Sequence, residues 1–142
     1  VIIDANILIY AVDTESQHHE VAHRWLTNAM NGPERVGLPW VSLIAFQRIT
    51  THSRIYRSPL DPTQASDIIQ AWLEHPNTWV PSAGERHAGI LRSLTVRSGA
   101  TGNLVTDAHL AALAIEHGAS LASFDEDYRN FPDLRWIHPA RQ

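Results

Sequence analysis

Between Asn103 and Asp127 the chain runs from a helical pattern straight into a buried strand. Leu110, Leu113, Ala114 and Ile115 recur at helical spacing, and Gly118 stands where a helix stops. Ser120 to Phe124 follows as a short apolar run of strand type, closed by three acids, Asp125, Glu126 and Asp127. The pattern predicts that Asp107 opens the helix and that Asp125 and Asp127 close the strand. In an open α/β sheet, helix beginnings and strand ends share the edge at which ligands bind. Carboxylates gathered at that edge call for a cation.

The remainder of the chain repeats this alternation. Val1 to Ile3 is a β-type run ending at Asp4, and Asn6 is placed to begin a helix through Val12. A second helix is predicted from about His18 to Met30, stopped by Asn31-Gly32-Pro33. Val36 to Leu38 reads as a strand, and Ser42 is expected to cap a third helix. Ser53 to Pro62 reads as a loop, and Thr63 is expected to start a fourth helix through Leu73. Thr78 to Val80 is a strand, Glu85 to Arg97 a helix, Asp127 to Phe131 a turn and Leu134 to Ile137 a last strand. There is no internal repeat, low-complexity tract or linker. The expected fold is a single α/β domain over residues 1–142, with a parallel central sheet and helices on both faces.

Composition narrows the function classes. The 142 residues are enough for a sizeable core, and 44% hydrophobic with 18% charged residues describes a globular chain. No apolar run approaches a membrane span, and nothing resembles a secretory leader. Because the first residue is Val and not Met, a residue or short segment is expected ahead of it. The absence of Cys excludes disulfides and thiolate metal sites and fits a reducing cytosol. A net charge of −4 provides no global attraction to nucleic acid or anionic membranes.

Asp4, Asp107 and Asp125 are the chemical candidates. Taken singly, each reads as a cap or turn residue. Together they fall at one edge of the proposed sheet, where close carboxylates raise one another's pKa unless a cation compensates. An all-oxygen cluster suits Mg²⁺ or Mn²⁺, which can activate water and stabilise the leaving oxygen in phosphodiester hydrolysis. Thr106 and Ser123 lie beside these acids and could hydrogen-bond them. A competing motif is His19-Glu20-Val21-Ala22-His23, which matches the H-E-x-x-H pattern of zinc peptidases. It has no metzincin extension and no evident third ligand, so an exposed helix face is the simpler reading. Between Val36 and Leu60 there is no acid, but there are Arg48, His52, Arg54 and Arg57, a local basic stretch that reads equally as a hold for an RNA backbone or as a solvated face. The five tryptophans are assigned to core or interface, none being spaced like a stacking platform.

Three segments carry a resemblance. Val-Ile-Ile-Asp-Ala-Asn at the start, Leu-Val-Thr-Asp-Ala-His-Leu-Ala-Ala-Leu-Ala, and Gly-Ala-Ser-Leu-Ala-Ser-Phe-Asp-Glu-Asp-Tyr are similar to the PIN-domain family. Within it they most resemble the VapC toxins of bacterial VapBC toxin–antitoxin pairs. The resemblance implies a three-layer α/β/α sandwich and a homodimer. It also implies a metal-dependent endoribonuclease that cuts structured RNA such as tRNA or rRNA, held inactive by a VapB-type antitoxin. Asp4, Asp107 and Asp125 fall on the family's acidic positions and Asn6 on a frequent polar one. Ser123 takes the place of a usual Ser or Thr, and Asp127 that of an often acidic neighbour. One departure stands out: where the family carries a Glu in the helix after the second strand, this chain has Ala45. Either the site works with fewer carboxylates, recruiting Asp127, or metal affinity and activity are reduced.

Overall fold

The computed structural model describes residues 1–141. Its centre is a five-stranded, all-parallel sheet in the order β3-β2-β1-β4-β5, formed by β1 (Ile2–Ile3), β2 (Val36–Gly37), β3 (Thr78–Trp79), β4 (Leu121–Ala122) and β5 (Trp136–Ile137). Parallel strands need crossovers, and six helices supply and flank them. They are α1 (Ala5–Val12), α2 (His19–Met30), α3 (Trp40–Thr50), α4 (Pro62–Glu74), α5 (His87–Ser98) and α6 (Asn103–Glu116).

The period-two alternation of a strand divides the core in two. Val1, Ile3 and Ala122 point to one face, where they pack with Ile7, Leu8, Leu26, Phe46 and Ile69 from α1 to α4. Ile2 and Leu121 point to the other, against Leu94 of α5 and the alanine-rich face of α6. The result is the expected three-layer α/β/α sandwich. Small residues at Ala108, Ala111, Ala112 and Ala114, all buried, let α6 lie close on the sheet.

Several boundaries differ from the sequence reading, each for a local reason. Helix α6 begins four residues before Asp107, because Gly102 adopts a left-handed φ of 59° and turns the chain into Asn103. Asp107 therefore projects from the second turn and does not open the helix. Asp4, not Asn6, caps α1 and accepts a hydrogen bond from the Ala5 amide. Ser42 lies inside the first turn of α3, and its Oγ donates to the Ile3 carbonyl at 2.7 Å. Helix α4 starts from Asp61, which forms a reciprocal capping box with Gln64, with Pro62 at the first helical position. The turn after Asp125 is a 3₁₀ segment, Glu126–Asn130. Among the described residues, no helix is long and apolar enough to cross a membrane.

Candidate active site

From β1 the chain proceeds to β2 on one side, and β4 lies on the other, so the topology reverses between β1 and β4. A parallel sheet opens a crevice at such a switch point, beyond the carboxyl ends of its strands. Asp4 follows β1 directly, and Ser123, Phe124 and Asp125 follow β4. Helix α6 leads into β4, so its first turns lie at the same edge and carry Asp107 to it.

Hydrogen bonds join the two strand ends. Ser123, fully buried, donates from Oγ to Asp4 Oδ2 at 2.7 Å, and the same Oγ accepts from the Asp125 amide at 3.0 Å. Asn6 Nδ2 donates to Ser123 Oγ at 2.9 Å and, more weakly, to Asp4 Oδ2 at 3.4 Å, while its Oδ1 accepts from the Phe124 amide at 3.2 Å. Asn6 is therefore a strut between α1 and β4. Trp136 Nε1 closes the network from β5 by donating to the Ser123 carbonyl at 3.0 Å.

Tyr128 had no role in the sequence reading, where it fell in a turn. Its ring is buried, 1% exposed, and its hydroxyl lies 3.2 Å from Asp4 Oδ2 and 3.4 Å from Asp107 Oδ1. One hydroxyl thus spans the two carboxylates, whose oxygens can be no further apart than those two contacts laid end to end. That is well inside the screening length of about 10 Å beyond which the acids would be independent. A tyrosine directly after the last of the three acids that close an apolar strand was the available signal. Buried phenols usually find a polar partner, and here the partners are the acids themselves.

Asp107, Asp125 and Asp127 each present an oxygen within 4.8 Å of the others. Two such charges repel by on the order of 3 kcal/mol at an effective dielectric constant of about 20. The proton affinities record the strain. Burial, then the charges of Asp125, Asp4 and Asp127, push the Asp107 carboxyl up to about 7. Asp4 is also raised, chiefly by burial, against the lowering effect of its bonds from Ser123, Ala5 and Tyr128. Burial and the neighbouring carboxylates hold the Tyr128 phenol well above its ordinary range, so it remains a donor. The donor set is all oxygen, with two groups half-buried and Asp127 exposed, which leaves room for water and phosphate. That chemistry fits Mg²⁺ or Mn²⁺. Asp127 lies within the acid cluster, while α3 presents only the half-buried Ala45 where a further acid was sought.

The other candidates lie elsewhere. His19 and His23 face each other on α2 with ring centroids 5.6 Å apart, but no third His, Cys, Asp or Glu joins them among the described residues. The zinc reading is corrected on that ground. Arg48 and Arg54 are exposed on α3 and the turn after it. Arg57 lines a cavity of about 590 Å³ together with Asp13 and Glu15, away from the acid cluster. Thr106 is exposed and makes no hydrogen bond to the acids.

With this geometry in view, comparison with known proteins is informative. The family model described as "PIN domain" matches residues 1–134. Ribonuclease VapC37 of Mycobacterium tuberculosis is 44% identical over 97% of this chain and 96% of its own length. Ribonuclease VapC33 of the same species is 39% identical over 100% of this chain and 99% of its own. Among solved structures, VapBC2 from Rickettsia felis bound to a promoter DNA fragment matches with a TM-score of 0.69 at 18% identity, over 96% of each chain. VapBC-1 from nontypeable Haemophilus influenzae matches with a TM-score of 0.68 at 17% identity, over 99% of this chain and 98% of its own. At these identities the structural likenesses speak to the fold.

Proposed function

The chain belongs to the PIN-domain family, and from that premise we propose that it is a Mg²⁺- or Mn²⁺-dependent endoribonuclease toxin, hydrolysing RNA phosphodiester bonds and neutralised by a VapB-type antitoxin. The reading takes tRNA or rRNA as substrate, a homodimer as the working form and the cytoplasm as its place. Its support is one observation: Asp4, Asp107 and Asp125, from three separate elements, meet at the switch point of the sheet, Asp4 and Asp107 at the Tyr128 hydroxyl, Asp4 and the Asp125 amide at the Ser123 hydroxyl, and Asp107 and Asp125 within 4.8 Å of each other.

Asp107 and Asp125 would hold the cation, with Asp4 completing the pocket from the β1 side and Asp127 from the exposed side. A divalent ion bound there supplies a water of lowered pKa and neutralises charge on the phosphate. The chain's own groups do the positioning. Ser123 and Asn6 fix the Asp4 carboxylate in one orientation, the Tyr128 hydroxyl is in reach of Asp4 and Asp107 and donates to one of them at a time, and the Asp127 amide donates to Asp125 Oδ1 at 2.9 Å.

The test uses Asp4→Asn and Asp107→Asn. Asn caps a helix as well as Asp does, so Asp4→Asn removes the charge while keeping the start of α1. Mn²⁺-dependent cleavage of total RNA should be lost in both variants, with circular dichroism unchanged. Full activity in both would reject the assignment. The second reading, a scaffold that binds RNA or a protein partner without cutting, draws its support from Ala45. A wild-type protein that binds RNA yet leaves it intact across a Mn²⁺ titration would favour that reading.

A further inference from the structure

Four of the five tryptophans are accounted for by packing. Trp25 and Trp72 lie against the α1–α4 core, Trp72 edge-on to Phe46 at 4.9 Å. Trp79 lies edge-on to His117 at 5.1 Å, and Trp136 packs on the α5–α6 core. Trp40 belongs to neither core and is 52% exposed. Ile44, one turn further along α3, is 54% exposed, and Arg48, a turn beyond, is exposed and makes no ion pair among the described residues. Spacings of four residues place Trp40, Ile44 and Arg48 on one stripe.

That stripe begins beside the acids. Strands β1 and β2 run parallel with Ile2 opposite Gly37, so Asp4 and Pro39 leave the sheet level with each other, about 5 Å apart. Trp40 is the next residue, which puts its backbone within roughly 10 Å of that of Asp4. The Ser42 Oγ bond to the Ile3 carbonyl, 2.7 Å, clamps the first turn of α3 against the residue preceding Asp4.

We propose that Trp40 is a base-stacking residue that positions the RNA strand beside the acidic pocket, with Arg48 taking a phosphate further along α3; this rests on RNA being the substrate, as argued above. A flat aromatic face followed at helical spacing by an unpaired guanidinium matches the alternation of base and phosphate. Unstacked RNA bases are recognised by aromatic side chains in this way, and the interaction tolerates any base because every base has a π-face. The surrounding charge agrees: no acid occurs between Val36 and Leu60, whereas Arg48, His52 and Arg54 lie along this route. A second copy of the chain fits less well. In a twofold interface centred on this stripe, Arg48 would find no acid on the stripe of the second copy.

The experiment measures binding of short single-stranded oligoribonucleotides carrying 2-aminopurine, in chelator so that nothing is cut, and maps RNA ends after Mn²⁺ is added. Wild type should quench 2-aminopurine on binding. Trp40→Ala should bind about ten-fold more weakly without quenching, cut with a raised KM and altered preference at the stacked nucleotide, and bind Mn²⁺ as wild type does. Trp40→Phe should restore most of the affinity. Wild type that fails to quench, or Trp40→Ala with unchanged affinity and unchanged ends, overturns the proposal. So does a shift from dimer to monomer in Trp40→Ala on size-exclusion chromatography, which would place the ring in a subunit interface. If Trp40→Ala is neutral while Asp107→Asn abolishes cleavage, stacking falls and the nuclease stands. If wild type quenches but never cuts, the nuclease reading falls and the stacking role stands.

Discussion

Tyr128 has one hydroxyl proton and two carboxylate neighbours, Asp4 at 3.2 Å and Asp107 at 3.4 Å. Ionised carboxylates only accept hydrogen bonds, so the phenol satisfies one of them at a time, and a bound cation would relieve the other. Tyr128→Phe keeps the ring, which packs against Phe131 at 6.2 Å between centroids, and removes only the strut. Groups that orient metal-ligating carboxylates are typically worth ten-fold or more in metal affinity. Mn²⁺ titration calorimetry should therefore show about ten-fold weaker binding by Tyr128→Phe, with the melting temperature of the metal-free protein little changed. Identical affinity would mean that the acids orient themselves. The acids were legible only jointly: each alone is an ordinary cap or turn residue, but the alternation of strands and helices puts all three at one edge of the sheet. Tyr128 was not, because a tyrosine in a turn is ordinary until its hydroxyl is seen between two acids.

At the scale of elements, helix starts account for most of the disagreement between pattern and structure. Ser42 and Thr63 have the right chemistry for caps, but Pro39 and Asp61 occupy the positions. Ser42 is drawn inward to the Ile3 carbonyl, a partner 39 residues away that no local pattern reveals. The Asp61–Gln64 box touches only backbone at the start of α4, so it offers a control for the site variants. Asp61→Ala should cost about 1 kcal/mol, lowering the melting temperature by about 3 °C in a chain of this size, and leave Mn²⁺ affinity unchanged. A loss of metal binding in that variant would mean that stability and site are coupled more tightly than the fold implies. The early start of α6 has a chemical effect as well. It moves Asp107 away from the helix terminus, where the dipole would have favoured its charge, into a half-buried position where burial and neighbours raise its pKa.

For the whole molecule, the acid pocket makes stability depend on pH with a definite sign. Asp107 rises from 3.8 to about 7 on folding, and Asp4 rises as well. Across that interval the native state holds more protons than the unfolded state, so stability declines as pH increases. The stabilising contribution is fully present below the unfolded value and is lost through the folded one. In chelator, the melting temperature of wild type should lose more between pH 5 and pH 8 than that of Asp107→Asn, a comparison that cancels the opposite contribution of His109 and His138, whose pKa values burial lowers. Mn²⁺ should recover much of the loss at the upper end, because a cation binds the ionised carboxylates and competes with protons. The same pH dependence in wild type and Asp107→Asn without metal would contradict the repulsive pocket.

The sequence by itself determined the alternation of strands and helices, the parallel sheet with two covered faces, and the three acids placed at its edge. These follow from local periodicity and from where charge interrupts apolar runs, both of which are properties of neighbouring residues. Tertiary structure alone decided that β1 and β4 are adjacent, that Ser123 and Asn6 tie Asp4 to them, that Tyr128 bridges Asp4 and Asp107, and that Trp40 is left in solvent. Each of these depends on pairs of residues far apart in the chain. Their meeting is set by strand order and helix packing, which local pattern does not encode.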